Sequence, residues 1–117
     1  MKKLLLASTV LTALSAPVIA EEIKVGIILG FTGPIESLTP AMAAGAELAL
    51  SEASKSGSFL NGSTVVGVRG DSTCIDSAAA SSVAERLITS DGVAAIMGAD
   101  CSGVTTAIAN NLSLIHI

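Results

Sequence analysis

Aromatic side chains are nearly absent from this sequence, which has no tryptophan, no tyrosine and only two phenylalanines. A surface that stacks nucleic-acid bases or sugar rings is therefore excluded. Basic residues are also few, with six Lys and Arg against ten Asp and Glu, so the basic face of a nucleic-acid-binding protein is excluded too. Charged residues make up 14% of the chain and hydrophobic residues 50%, which excludes a disordered polymer. The 117 residues suffice for one small domain.

Residues 1–20 have the pattern of a secretory signal. Lys2 and Lys3 precede an apolar run that is shorter than the ~20 residues of a membrane span, and Pro17 interrupts its end. We predict export, with cleavage after Ala20. The opposite terminus, residues 112–117, resembles the translation of a sequencing-library adapter. We predict that this tail, which holds the single histidine, His116, is not native; a genuine apolar helix end is the alternative.

Residues 21–111 alternate between strand and helix patterns. Strands are predicted at 23–29, 64–69 and 93–98, and helices at about 39–55, 76–90 and from 102 or 103 onward. Thr39 followed by Pro40 predicts a helix cap, and Met42, Ala46, Ala49 and Leu50 predict the inner face of that helix. This order and its short connections predict an α/β fold with a parallel sheet and helices on both faces. These few helices can cover only part of a parallel sheet. We therefore expect the chain to be a portion of a longer protein.

Three loops follow the strands, at residues 30–38, 71–76 and 99–103, and are named here the first, second and third loops. Ligands of open parallel sheets bind where such loops meet. The start of the third helix offers the backbone N–H groups of Ser102 and Gly103 and the Ser102 hydroxyl to a carboxylate or another anion. An ordinary helix cap is the alternative for Ser102. The neighbouring Asp100 favours a cationic or hydroxylated ligand group, unless it is a solvated loop acid.

No catalytic, metal or cofactor site is expected. Ser102 has no credible histidine as a base, and the Gly-x-Ser-x-Gly pattern of hydrolases is absent. Cys74 and Cys101 lie past strand ends on one edge of the sheet, and in an exported protein they favour a disulfide. Zinc is the rival interpretation, but neither a third cysteine nor a histidine lies near them.

Short motifs in a fixed order resemble the periplasmic solute-binding proteins of the Leu/Ile/Val-binding type. They are Glu22-Ile23-Lys24-Val25-Gly26, Thr32-Gly33-Pro34, Ala44-Gly45-Ala46-Glu47-Leu48-Ala49, Asp71-Ser72-Thr73-Cys74, Asp91-Gly92-Val93 and Ile96-Met97-Gly98-Ala99-Asp100-Cys101-Ser102. The resemblance implies a type I periplasmic binding fold, of which residues 21–111 are part of the N-terminal lobe. It also implies a monomeric, non-enzymatic protein in the periplasm. Its two lobes would close on an amino acid or related carboxylate and deliver it to the permease of an ABC importer.

The same resemblance implies roles for individual residues. It pairs Cys74 with Cys101, and it places on Ser102 the serine that binds the α-carboxylate through its hydroxyl and backbone N–H. The adjoining pocket wall falls on Asp100 and Cys101, and Leu38 stands where some members have an aromatic residue. Because Asp100 replaces an apolar residue of the family, a branched-chain amino acid is less expected as the ligand. The carboxylate site itself is still expected. The alternatives are a ligand-sensing lobe of a receptor and a secreted α/β hydrolase.

Overall fold

A computed structural model describes residues 20–115 of the chain. The predicted signal before Ala20 and the tail residues His116 and Ile117 lie outside this range. The elements are β1 (Glu22–Leu29), α1 (Thr39–Lys55), a short 3-10 turn (Phe59–Gly62), β2 (Thr64–Asp71), α2 (Ser77–Thr89), β3 (Ala95–Gly98) and α3 (Ser102–Ile115). Over residues 20–115, no helix is both long and apolar enough to span a bilayer.

The three strands form one parallel sheet in the order β2-β1-β3. Glu22 of β1 is paired with Thr64 and Leu29 with Asp71, while Val25 is paired with Ala95 on the other side. All three strands therefore end at one edge, called here the carboxyl edge. The predicted parallel sheet is confirmed, and β1 lies at its centre.

Alternate residues of β1 point to opposite faces of the sheet, as the strand geometry requires. Ile27 and Leu29 are buried against Ala43 of α1. Ile28 is buried in a second cluster with residues of α2 and α3, namely Ala80, Ala84, Leu87, Val104 and Ile108. One helix thus covers one face and two helices cover the other.

Leu87 is the fully buried centre of the second cluster. Its Cδ1 lies only 3.1 Å from where a β-carbon would stand on Gly26 of β1 and on Gly70 of β2. The absence of side chains at these positions leaves the space that the leucine fills. Asp76 begins this helix as predicted: its carboxylate accepts the N–H groups of Ala78 and Ala79 at 3.0 and 2.9 Å.

The sequence interpretation of α1 was wrong in two respects. Thr39 does not cap the helix; its fully buried hydroxyl donates instead to the carbonyls of Gly30 and Glu36, each at 3.3 Å. The inner face contains Ala43, which is fully buried, whereas Met42 is 45% exposed. Ala49 is exposed as well.

The boundaries near the carboxyl edge also differ from those predicted. β2 continues through Asp71, so the second loop begins at residue 72, and β3 begins at Ala95 rather than at residue 93. α3 begins at Ser102 and continues through Ile115. The non-native origin of residues 112–117 stays a prediction, since helical structure does not depend on where a codon came from.

Candidate functional site

The first, second and third loops meet at the carboxyl edge. A backbone hydrogen bond joins the ends of two of the strands there. The N–H of Ser72, at the end of β2, donates to the carbonyl of Leu29 at 2.9 Å. Ser72 itself is fully buried. The edge is thus a packed junction of three chain segments.

A disulfide joins the second loop to the third. Cys74 and Cys101 are bonded, with their Cα atoms 5.3 Å apart, so the sequence-predicted pairing is present in the structure. Gly30 of the first loop lies against this bridge: a β-carbon on Gly30 would stand 3.1 Å from Cβ of Cys74. All three loops therefore contact one another around the disulfide.

Asp100 holds the backbone at the start of the first loop. The N–H of Gly30 points at its carboxylate, with distances of 3.2 Å to Oδ1 and 3.0 Å to Oδ2. Gly30 is buried. The carbonyl of the same glycine accepts the hydroxyl of Thr39, so its peptide groups connect the third loop to the start of α1.

Asp71, at the end of β2, also forms hydrogen bonds with the first loop. Its carboxylate accepts the Thr32 hydroxyl at 2.6 Å, the Thr32 N–H at 3.2 Å and the Thr73 N–H at 2.8 Å. Desolvation by burial tends to raise the pKa of Asp71, but these hydrogen bonds outweigh it and lower the pKa below its ordinary value. Asp71 is therefore a charged link between the first and second loops.

The backbone of Gly33 in the first loop lies close to that of Thr73 in the second. Its φ of +98° is a conformation that other residues rarely adopt, and a β-carbon there would lie 2.5 Å from the Thr73 carbonyl oxygen. The Thr32-Gly33-Pro34 motif is thus explained by loop packing.

Arg69 braces the first loop from the face that α1 covers. Its guanidinium forms two hydrogen bonds to the carboxylate of Glu47, at 2.6 and 2.8 Å, and its Cζ lies 5.4 Å from the ring centre of Phe31. The hydrogen bond between the two side chains lowers the pKa of Glu47 and raises that of Arg69. The guanidinium of Arg69 therefore contacts Glu47 and Phe31 of the same chain.

The N-terminus of α3 exposes polar groups at the carboxyl edge. The Cys101 carbonyl accepts the N–H of Thr105 at 3.0 Å, which makes Cys101 the cap position and Ser102 the first helical residue. The helix-cap interpretation of Ser102 is therefore wrong by one position. Ser102 and Gly103 are exposed, whereas Val104 is buried. The first N–H groups of a helix have no partner within it, and here they belong to the exposed residues Ser102 and Gly103.

Apolar side chains are also exposed in the loops of the carboxyl edge. Leu38, just before α1, is 60% exposed, and Ile75 of the second loop is 75% exposed. Cys101 is half-buried and packs against the cluster of α2 and α3. The edge thus combines helix N–H groups with apolar side chains, a composition typical of sites for small organic ligands.

The five residues that the sequence singled out as ligand contacts form two groups in space. Asp100, Cys101, Ser102 and Gly103 are consecutive and form the first group. Leu38 is the second: it precedes Thr39, whose hydroxyl bonds to the carbonyl of Gly30, and the N–H of Gly30 bonds to Asp100. The hydrogen bonds between Thr32 and the carboxylate of Asp71 were not predicted from the sequence. The available signal was an acidic residue at the end of a strand, on the carboxyl edge of the sheet.

Other surface features lie away from this edge. A groove of about 470 Å³ runs between α1 and the first half of β2, and one of about 290 Å³ borders β3 near Ile88 and Leu112. Both lack converging loops. Within residues 20–115, no three His, Cys, Asp or Glu side chains gather where they could hold a metal ion.

The sequence of this chain is similar to one protein family and to individual proteins. The family model described as "Periplasmic binding protein" matches residues 22–114. Leu/Ile/Val-binding protein homolog 7 of Brucella abortus is 39% identical over 105 residues, which are 88% of this chain and 25% of that protein. A protein of the same name from Brucella melitensis matches equally well. The chain thus spans about a quarter of the length of these relatives.

Solved structures give the same result. The branched-chain amino acid transporter substrate binding protein LivJ of Streptococcus pneumoniae, in complex with isoleucine, superposes with a TM-score of 0.70 at 30% identity. The match covers 80% of this chain and 26% of that one. A solute binding protein of an ABC transporter from R. palustris, in complex with 4-hydroxybenzoate, gives 0.65 at 26% identity, over 80% and 24% of the two chains.

These proteins are binding proteins, which agrees with the absence of a catalytic arrangement from the sequence motifs. The type I fold and the family that the motifs implied are both confirmed. On this sequence match and this structural likeness, the chain belongs to the periplasmic binding protein family.

Proposed function

We propose that this chain is part of the N-terminal lobe of a two-lobed protein that binds a small carboxylate in the periplasm. The whole protein delivers its ligand, an amino acid or a related acid, to the permease of an ABC importer. It is exported by the predicted signal, cleaved after Ala20, and acts as a monomer. The N-terminus of α3 is the observation that carries this proposal.

That N-terminus suits a carboxylate for two physical reasons. The exposed N–H groups of Ser102 and Gly103 are donors without intrahelical partners, and the helix dipole places partial positive charge on them. The dipole contributes about 0.3–1 kcal/mol at an exposed site and up to ~2 kcal/mol when the anion is partly buried. The Ser102 hydroxyl supplies a further donor, while Leu38 offers apolar contact to the remainder of the ligand.

The ligands of the similar structures share one group. Isoleucine and 4-hydroxybenzoate, bound by the proteins from Streptococcus pneumoniae and R. palustris, differ in size and charge, but both carry a carboxylate. This common feature supports an anion site at α3. An aromatic acid is the second candidate ligand, because Leu38 is smaller than the aromatic residue that some family members have at this position and so leaves more space for the ligand.

Transport follows from closure of the second lobe over this edge. A ligand that contacts both lobes binds the closed form more tightly than the open one and shifts the population towards it. The importer then recognises the closed form. In this proposal Cys101, Ser102, Gly103 and Leu38 line the half of the pocket that this lobe supplies, and Asp100 lies beside Cys101 with its carboxylate on the N–H of Gly30.

The test uses the protein expressed from the complete reading frame. Isoleucine and 4-hydroxybenzoate are titrated separately into wild type and into Ser102→Ala, and binding is measured by calorimetry. Losing a hydrogen bond to a charged group should weaken binding about tenfold to a hundredfold. Ser82→Ala is the matched control because this serine is exposed on α2, away from the carboxyl edge.

A second variant probes the backbone donor. Gly103→Pro removes one N–H, and proline is tolerated in the first turn of a helix. Unchanged circular dichroism with weaker carboxylate binding supports the site. Wild type that binds neither probe, or variants that bind as tightly as wild type, would overturn it.

A further inference from the structure

We propose that Asp100 is a positioning residue: it fixes the first loop, and through it Leu38, relative to the N-terminus of α3. The link to ligand binding rests on the function proposed above. The observation is the hydrogen bond from the Gly30 N–H to the Asp100 carboxylate.

Gly30 needs this acceptor. β1 ends at Leu29, so the next N–H lies outside the ladder that pairs β1 with its neighbours. Gly30 is buried, and a buried N–H without a partner carries the full cost of its desolvation. Asp100 supplies a charged acceptor, which bonds more strongly than a neutral one.

The restraint is transmitted from Gly30 to the site. Its carbonyl accepts the hydroxyl of Thr39, which is fully buried. Thr39 is the first residue of α1, and Leu38 immediately precedes it. The third loop, Gly30 and the start of α1 therefore move together, and Leu38 keeps a fixed position relative to Ser102.

The disulfide makes this arrangement stiff. Gly30 packs against Cys74, which is bonded to Cys101, the residue after Asp100. The start of the first loop is thus held between a covalent bridge and a charged acceptor that lie on adjacent residues. Asp100 acts on the ligand through Gly30, whereas the alternative role is direct contact with a cationic ligand group.

Amide exchange tests the first step without any ligand. In the oxidised, ligand-free protein, Asp100→Ala should speed exchange of the Gly30 N–H by about tenfold or more, since a charge-assisted hydrogen bond is lost. Asp100→Asn keeps one carbonyl oxygen as acceptor and should retain protection within about threefold of wild type. Asp91→Ala is the matched control: it also removes one negative charge, but from a carboxylate paired with Arg86. It should leave Gly30 unchanged.

Titration with isoleucine and 4-hydroxybenzoate tests the second step. Asp100→Asn should bind whichever probe wild type binds with nearly unchanged affinity, and Asp100→Ala should bind it at least several-fold more weakly. Thr39→Val, which removes the hydroxyl at similar volume, should leave the Gly30 N–H protected yet also weaken binding. This variant keeps the test decisive if Asp100→Ala does not fold.

Two results would overturn the proposal. Unchanged exchange of Gly30 in Asp100→Ala would show that the carboxylate does not hold this N–H. Loss of affinity in Asp100→Asn with Gly30 still protected would assign Asp100 to direct ligand contact. A wild type that binds neither probe refutes the proposed function instead, while the exchange of Gly30 still decides whether Asp100 positions the first loop.

Discussion

Reduction of the Cys74–Cys101 disulfide should destabilise the folded chain substantially. The bond closes a chain segment with a sequence separation of 27 residues. It also joins two of the three loops that form the carboxyl edge, where the other contacts described above are non-covalent. We therefore expect the disulfide to be the largest single contribution to the order of this edge.

The magnitude follows from the loop that the bond closes. In the chain-entropy model, cross-linking removes conformational freedom from the unfolded chain, and the effect grows with the logarithm of loop length. A separation of 27 residues gives about 3.5 kcal/mol at 25 °C. Small domains are stable by only about 5–15 kcal/mol, so this loss is a large part of the total.

Urea unfolding of oxidised and reduced wild type measures the effect. Both forms keep every side chain, so the difference in the free energy of unfolding reports the cross-link alone. The Cys74→Ala/Cys101→Ala variant provides a comparison, and it should be less stable than reduced wild type because Cys101 packs against the cluster of α2 and α3. Before reduction, the protein should show no thiol reactive with Ellman's reagent.

A difference below about 1 kcal/mol between the oxidised and reduced forms would refute this reasoning. It would mean that the unfolded chain is already restrained between residues 74 and 101, or that the bond strains the folded state. Two titratable thiols in the freshly isolated protein would refute the disulfide itself.

Two further predictions concern the core and the carboxyl edge. Leu87→Ala should cost about 2–5 kcal/mol in urea unfolding, because a fully buried side chain between Gly26 and Gly70 is replaced by a cavity; a loss below ~1 kcal/mol would contradict this packing. Asp71 has a lowered pKa, so its stabilising effect should be complete above the unfolded-state pKa of about 3.9 and be lost as pH falls through its lower folded-state pKa. The stability difference between wild type and Asp71→Asn should therefore shrink below about pH 4, and a difference that does not change with pH would exclude the charge as its cause.

The sequence by itself determined the class of fold. Apolar β-branched runs, short loops and helical stripes recur in an order that only a parallel α/β arrangement accommodates, because parallel neighbours need crossover helices. The cap at Asp76 was readable because it depends on side-chain chemistry within one turn of helix. Local chemistry of this kind needs no knowledge of distant residues.

Tertiary structure decided which polar groups hold the site together. Thr39 has the sequence context of a helix cap, yet its hydroxyl bonds to Gly30, nine residues away along the chain. Asp100 looks like a solvated loop acid, yet its carboxylate accepts an N–H that is 70 residues distant. Neither partner can be found by periodicity or by local propensity.

The physical reason is that short-range and long-range interactions leave different traces in a sequence. Strands, helices and caps depend on neighbours within a few residues, so composition and spacing reveal them. Hydrogen bonds across the carboxyl edge depend on where three separate loops come to lie, and any acidic or hydroxyl side chain of suitable length can make them. The sequence therefore determined the order of strands and helices and the start of α3. The packing of the sheet determined which residues form the hydrogen bonds that hold the three loops in place.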